Sequence, residues 1–300
     1  MAVTPLANRP VPPNSNFNRA MYVWVTSNAS QDPLDTDADQ NALLSFCGTQ
    51  GVNVLFVDIW QYLGGANWTT AKRDRMKTCI NAAHLSGIQV YALAGDLGWA
   101  TNQDWVMKNI INPIMAFNAI AGEAFDGICL DVEYWVDPTT YPASVHCPGL
   151  CDLVKAVKHA ADLPVGLFSG FYLKDNTATR AGVVYNGKTA QDGEHFMDVA
   201  DFVVVGSYRN HAADNGTDGP GQDTLFQPWY DYAAGQGRNA GLYVGSETTN
   251  VTPTYITYYG KTKAAMETEH ATTSGVFKGA TNAVFLGQSV HSYDGWKAMT

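Results

Sequence analysis

Charge is scarce in this 300-residue chain: 15% of residues are Asp, Glu, Lys or Arg, and 18 basic side chains face 28 acidic ones, giving a formal net charge of −10. No Lys/Arg-rich run occurs, so neither nucleic acid nor an anionic membrane surface is an expected partner. Long apolar runs are missing too. No stretch approaches the ~20 residues of a membrane span, and the start of the chain is polar and Pro-rich, without the apolar core of a signal segment. Cysteine, at five residues, is too rare for a disulfide scaffold. Cys47, Cys79 and Cys129 fall in apolar segments where a thiol simply packs. Cys147 and Cys151 flank Pro148-Gly149-Leu150 in what reads as a loop, so a small disulfide loop and two free thiols both remain open. A metal site there with His146 lacks a second ligand cluster. Gly-x-Gly-x-x-Gly, the P-loop, Gly-x-Ser-x-Gly and His-Glu-x-x-His are all absent, and no cofactor or metal is expected.

What is present is an alternation of short apolar, β-rich runs with segments of helical period, the pattern of parallel strands joined by crossover helices. Eight strands are expected: Tyr22–Val25, Val52–Ile59, Gln89–Ala94, Gly127–Glu133, Val165–Phe171, Phe202–Ser207, Gly241–Gly245 and Ala283–Gln288. Helices are expected between them, as over Gln40–Gln50, Thr70–Ser86, Asp104–Phe117, Leu150–Ala161, Thr224–Ala234 and Tyr258–Thr272. The fifth crossover, Asn176–Val199, has only a weak helical signal and reads as a long loop over the active face. The expectation is an α/β fold, one (β/α)8 TIM barrel spanning residues 1–300, with an extended segment over 1–18.

Such barrels place their chemistry at the C-terminal strand ends, and here those ends share one character. The first offers Trp24, the second Asp58 and Trp60, the third Asp96 and Trp99. The fourth ends Asp131-Val132-Glu133-Tyr134-Trp135, the sixth Ser207-Tyr208-Arg209 and the seventh Ser246-Glu247-Thr248; the eighth runs towards His291 and Tyr293. Flat aromatic faces stack on sugar rings and carboxylates accept hydroxyl hydrogen bonds. The combination points to a carbohydrate cleft, with Trp24, Asp58, Trp60, Asp96, Trp99, Trp135, Arg209, His291 and Tyr293 as binding residues.

Alternation along the fourth strand should turn Cys129, Asp131 and Glu133 to one side, and repulsion plus partial burial should keep one carboxyl protonated. The segment Asp126-Gly-Ile-Cys129-Leu-Asp131-Val-Glu133 resembles the Asp-x-x-Asp-x-Asp-x-Glu motif of family 18 glycoside hydrolases, which include chitinases and endo-β-N-acetylglucosaminidases. The resemblance implies that Glu133 is the general acid/base and that Asp131 orients the substrate's 2-acetamido group, whose oxygen is the nucleophile. It also implies that Tyr208 helps hold that group. Cys129 replaces the motif's second Asp. A fainter likeness, over Gly206–Asn210, Val244–Thr248 and Val290–Asp294, is to uncharacterised bacterial barrel proteins related to glycosidases.

Two alternatives stay open: Glu133 as acid/base with Glu247 as nucleophile, and a chitinase-like carbohydrate-binding protein without catalysis. Few charges and four Asn-x-Ser/Thr sequons, at Asn28, Asn67, Asn215 and Asn250, favour a secreted protein whose signal segment is absent from the sequence. A monomer acting on a carbohydrate is expected.

Overall fold

The computed structural model describes residues 2–12, 17–25, 32–63, 69–121, 124–175, 181–235, 240–277 and 284–300. Eight parallel strands close into a barrel: β1 (Asn18–Val23), β2 (Val54–Asp58), β3 (Gln89–Ala94), β4 (Gly127–Leu130), β5 (Val165–Gly170), β8 (Phe202–Gly206), β9 (Gly241–Glu247) and β10 (Phe285–His291). The hydrogen-bonded order is β1-β10-β9-β8-β5-β4-β3-β2. Strands β6 (Val183–Tyr185) and β7 (Lys188–Ala190) form a separate antiparallel hairpin. The expected (β/α)8 barrel is therefore the observed one. Every residue of β2, β4, β5, β8 and β9 is buried, because one face of each strand looks into the barrel and the other meets a helix.

Hydrophobicity locates the strands better than it locates their ends. The first strand begins at Asn18 rather than Tyr22, since partners satisfy its polar start. Asn18 hydrogen-bonds the Tyr243 hydroxyl, and the Arg19 guanidinium makes two 2.6 Å hydrogen bonds to Glu267 on the helix Lys263–Phe277. The fourth strand stops at Leu130, short of both carboxylates. The seventh and eighth barrel strands, β9 and β10, run further than expected and stay paired to Glu247 and His291.

Large rings from four strands fill the barrel interior. Phe56 stacks on Phe202 at 5.8 Å, and Tyr91 and Tyr243 meet both rings edge-on. Two glycines make room: a Cβ at Gly127 would lie 2.2 Å from the Tyr91 ring, and one at Gly166 would lie 2.1 Å from Phe202. The interior is thus packed up to the level of Tyr22, and only the C-terminal end remains for chemistry.

Helix ends follow local rules. Thr36 and Asp39 form a capping box ahead of Asp37–Gln50, which Gly51 closes in the left-handed conformation. Two expectations fail. The loop expected at Pro148-Gly149 is instead part of the helix Ala143–Ala161, where Cys147 and Cys151 lie one turn apart and buried, and of the two open readings two free thiols is the one found. The fifth crossover is not a loop over the active face in its described part. Its hairpin turns at Asn186-Gly187, both at positive φ, and packs on the Ala143–Ala161 helix through a 2.7 Å hydrogen bond from Tyr185 to Asp152. A helix over Asp192–Val199 follows. Among the described residues no helix is long and apolar enough to cross a membrane.

Candidate active site

Asp131 follows directly on β4, and its N–H still bonds Ala94 of β3 at 3.0 Å. The regular pleat ends there. Glu133 instead begins a 3-10 turn, Tyr134–Val136, with its own backbone at φ −90 and ψ 48. Strand alternation therefore accounts for Cys129 and Asp131, whereas a turn brings Glu133 back to them. Gly95 permits this path: a Cβ there would lie 1.7 Å from the Asp131 carbonyl oxygen. Cys129 is buried beneath the pair with its sulfur 4.0 Å from the Tyr22 hydroxyl, and burial pushes its thiol pKa up, so it stays protonated.

Both carboxyls are raised. Burial pushes Asp131 up to about 7, the nearby Glu133 charge adds to this, and a positive charge on the His291 ring opposes it when present. Burial also raises Glu133, against the lowering effect of a positive charge on the His291 ring when present and of the indole N–H of Trp135. Asp131 Oδ1 is buried with no hydrogen-bond partner among the described residues. A carboxyl that is buried, unpartnered and close to a second acid favours holding a proton near neutral pH. The hydroxyl of Tyr208 faces the same centre; burial raises its pKa, followed by the charges of Glu247, Asp131 and Glu133.

Glu247 behaves differently. Burial alone would raise it, but its hydrogen bonds outweigh burial and its pKa is lowered. Oε1 accepts from the N–H groups of Thr248 (2.8 Å) and Thr249 (2.6 Å) and from the Thr249 hydroxyl (2.7 Å). Oε2 lies 2.8 Å from His291 Nδ1, and Trp24 Nε1 donates to His291 Nε2 at 2.7 Å. Asp131, Glu133, Tyr208, Glu247, His291 and Trp24 thus form one cluster at the mouth of the barrel.

A cleft of about 600 Å³ lies on the β1–β3 side and shares Trp24 with this cluster. Trp24, Asp58, Trp60, Asp96 and Trp99 line it as the sequence pattern anticipated, joined by Asn102 and Trp105, which it did not. Trp60 (42% exposed) and Trp105 (38%) present open faces with ring centres 6.3 Å apart, whereas Trp99 is buried against Trp105. Asp58, pushed up to about 6 by burial against hydrogen bonds from the Trp60 and Val25 backbone, is a largely buried acceptor in the cleft wall. Asp96 caps its own turn through the Gly98 N–H.

Three anticipated binding residues are placed elsewhere. Trp135 is 6% exposed between Tyr134 and Phe196, so it supports Glu133 from behind and offers no stacking face. Arg209 is sandwiched between Phe171 and Tyr255 and donates to the carbonyls of Pro220 and Tyr208, which commits it to tying loops together. Tyr293 packs on Phe46 outside the barrel, because the helix Tyr293–Ala298 turns it away from the mouth. Of the four sequons, Asn215 and Asn250 are exposed, and Asn28 and Asn67 lie outside the described residues.

No protein-family model and no curated protein sequence matches the chain. Solved structures do match in fold. A chitinase from Chromobacterium violaceum ATCC 12472 aligns over 94% of this chain and 97% of its own, with a TM-score of 0.51 and 14% identity. A GH113 beta-1,4-mannanase aligns over 93% of this chain and 88% of its own, with a TM-score of 0.53 and 10% identity. The chain spans 51% of the length of the Bacillus cereus spore cortex-lytic enzyme SleL, with 77% of this chain covered, 12% identity and a TM-score of 0.47. At such identities the likeness establishes the (β/α)8 barrel, and what the site does must be argued from its own residues.

Proposed function

We propose that this protein is a glycoside hydrolase in which Glu133 is the general acid/base and Asp131 its assistant. The observation that carries the reading is the pair of raised carboxyls in a cluster that shares Trp24 with a tryptophan-lined cleft. A protonated Glu133 can give its proton to the glycosidic oxygen as the bond to the leaving sugar breaks. The unpartnered Asp131 Oδ1 suits the N–H of a 2-acetamido group, whose carbonyl oxygen then attacks the anomeric carbon. Water, deprotonated by Glu133, opens the resulting ring with overall retention. Tyr208, facing both carboxyls, is suited to hold the acetamido oxygen. Chitinase and mannanase barrels among the structural neighbours fit a glycan substrate.

One observation favours a second reading: Glu247 is ionised at the end of the seventh barrel strand, where a nucleophile could sit opposite Glu133. Its four hydrogen bonds argue against it, since three donors occupy Oε1 and His291 holds Oε2. We assign Glu247 to anchoring His291. A panel of β-linked glycans with and without 2-acetamido groups, followed by NMR of the anomeric product, separates the two. Cleavage confined to acetamido sugars with retention is expected; cleavage of a plain glucan or mannan would transfer the nucleophile to Glu247. A monomer outside the cell, with no nucleic acid partner, completes the proposal, supported by the low charge and the two exposed sequons.

A further inference from the structure

We propose that Trp24 is a positioning residue: its indole N–H holds His291 as the neutral Nδ1–H tautomer, and the neutral ring lets Asp131 and Glu133 keep a proton between them. The first half concerns the ring alone; the second rests on the hydrolase reading above.

An indole nitrogen can only donate, so at 2.7 Å from Trp24 the Nε2 atom of His291 must accept. The ring proton then sits on Nδ1, facing Glu247 Oε2 at 2.8 Å. Glu247 cannot turn away, because two backbone N–H groups and the Thr249 hydroxyl grip its other oxygen. In a cationic ring, Nε2–H would point at the indole N–H with no acceptor between them.

The groups facing His291 are Tyr22 on β1 (5.5 Å between ring centres), Tyr208 after β8 (6.4 Å), Glu247 on β9, and Asp131 and Glu133 beyond β4. Burial disfavours a charge on the ring, but the hydrogen bond to Glu247 and the charges of Glu247, Asp131 and Glu133 outweigh it and raise the ring's pKa, so the indole donor must work against them. The clash of donors tips the balance, since a buried hydrogen bond left unmade is worth on the order of one to two pH units. Were the ring to charge, it would draw the pKa of Asp131 and Glu133 down and remove the proton that the chemistry needs. Trp24 would then matter through its nitrogen as well as through the face it presents to the cleft.

¹⁵N NMR of the His291 ring in the full chain tests this without any substrate. The wild type is expected to carry one ring proton, on Nδ1, at about pH 7 and above. Trp24→Phe keeps an aromatic ring but removes the N–H. His291 should then titrate at least ~1 pH unit higher, and the alkaline limb of kcat/KM should move to lower pH. A doubly protonated His291 in the wild type at about pH 7 would overturn the proposal, as would an identical His291 titration in Trp24→Phe. The wild-type spectrum decides the tautomer even if the variant fails to fold. A protein that cleaves no glycan overturns the second half together with the hydrolase reading, while the spectrum still judges the first.

Discussion

Burial does more than mutual repulsion to raise the two carboxyls beyond β4, and this has a consequence for stability. Asp131 in the folded protein holds its proton up to about pH 7, against 3.8 for an ordinary Asp. A raised acid contributes stability that is fully present below the unfolded pKa and is lost as pH rises through the folded one. Asp131→Asn removes that loss. Relative to wild type, the variant should gain stability between about pH 4 and pH 8, by up to roughly 4 kcal/mol. Denaturant unfolding of both proteins at the two pH values measures it; equal pH dependence would mean that Asp131 is solvated. At this scale the sequence was informative. Asp131 and Glu133 announce themselves by type and spacing, and Glu247 and His291 by their position at strand ends. Trp135 and Tyr293 misled, because a residue just past a strand end can turn behind the site as easily as into it.

Among the elements, the junction of β3 and β4 bears most directly on the site. Gly95 lets the two chains cross at a distance that no side chain tolerates. Gly95→Ala should displace Asp131 and Glu133 together and lower kcat/KM by at least ~100-fold, in line with the sensitivity of catalysis to ångström misplacement. Assay of the folded variant, with circular dichroism as control, checks it; wild-type activity would show that the crossing is slack. The elements were legible where their signals are periodic, as in β2, β3 and the Thr70–Leu85 helix. They were missed where the signal is punctuation. Asn186-Gly187, between Val183-Val-Tyr185 and Lys188-Thr-Ala190, is a strong hairpin sign, yet three-residue strands are too short to register as periodicity. Pro148-Gly149 gave the opposite error, because tertiary packing of Cys147, Leu150 and Cys151 keeps the helix intact through two breakers.

At the scale of the whole molecule, a closed barrel packed with aromatic rings leaves one end for binding, and that end has a direction. The carboxyl cluster shares Trp24 with the cleft, which runs past Trp60 and Trp105. Trp60→Ala and Trp105→Ala should each weaken glycan binding by ~1 kcal/mol or more, as lost ring stacking requires, with little change in melting temperature. Titration calorimetry on a non-hydrolysed oligosaccharide would measure this; unchanged affinity in both would place the glycan elsewhere. Trp105 could not be found by looking at strand ends, since it lies on the short helix Gln103–Val106, well beyond β3. The direction of the cleft is a property of the assembled barrel.

Glu133 stands at the centre of the account, and its removal is the most direct trial. The rate of cleavage of an N-acetylglucosamine oligomer should be measured for wild type and for Glu133→Gln, which keeps size and hydrogen bonding but cannot donate an acidic proton. The predicted result is a fall in kcat of ~100-fold or more, the usual worth of a general acid, with KM and folding little altered. A Glu133→Gln protein that cleaves at the wild-type rate would contradict the account.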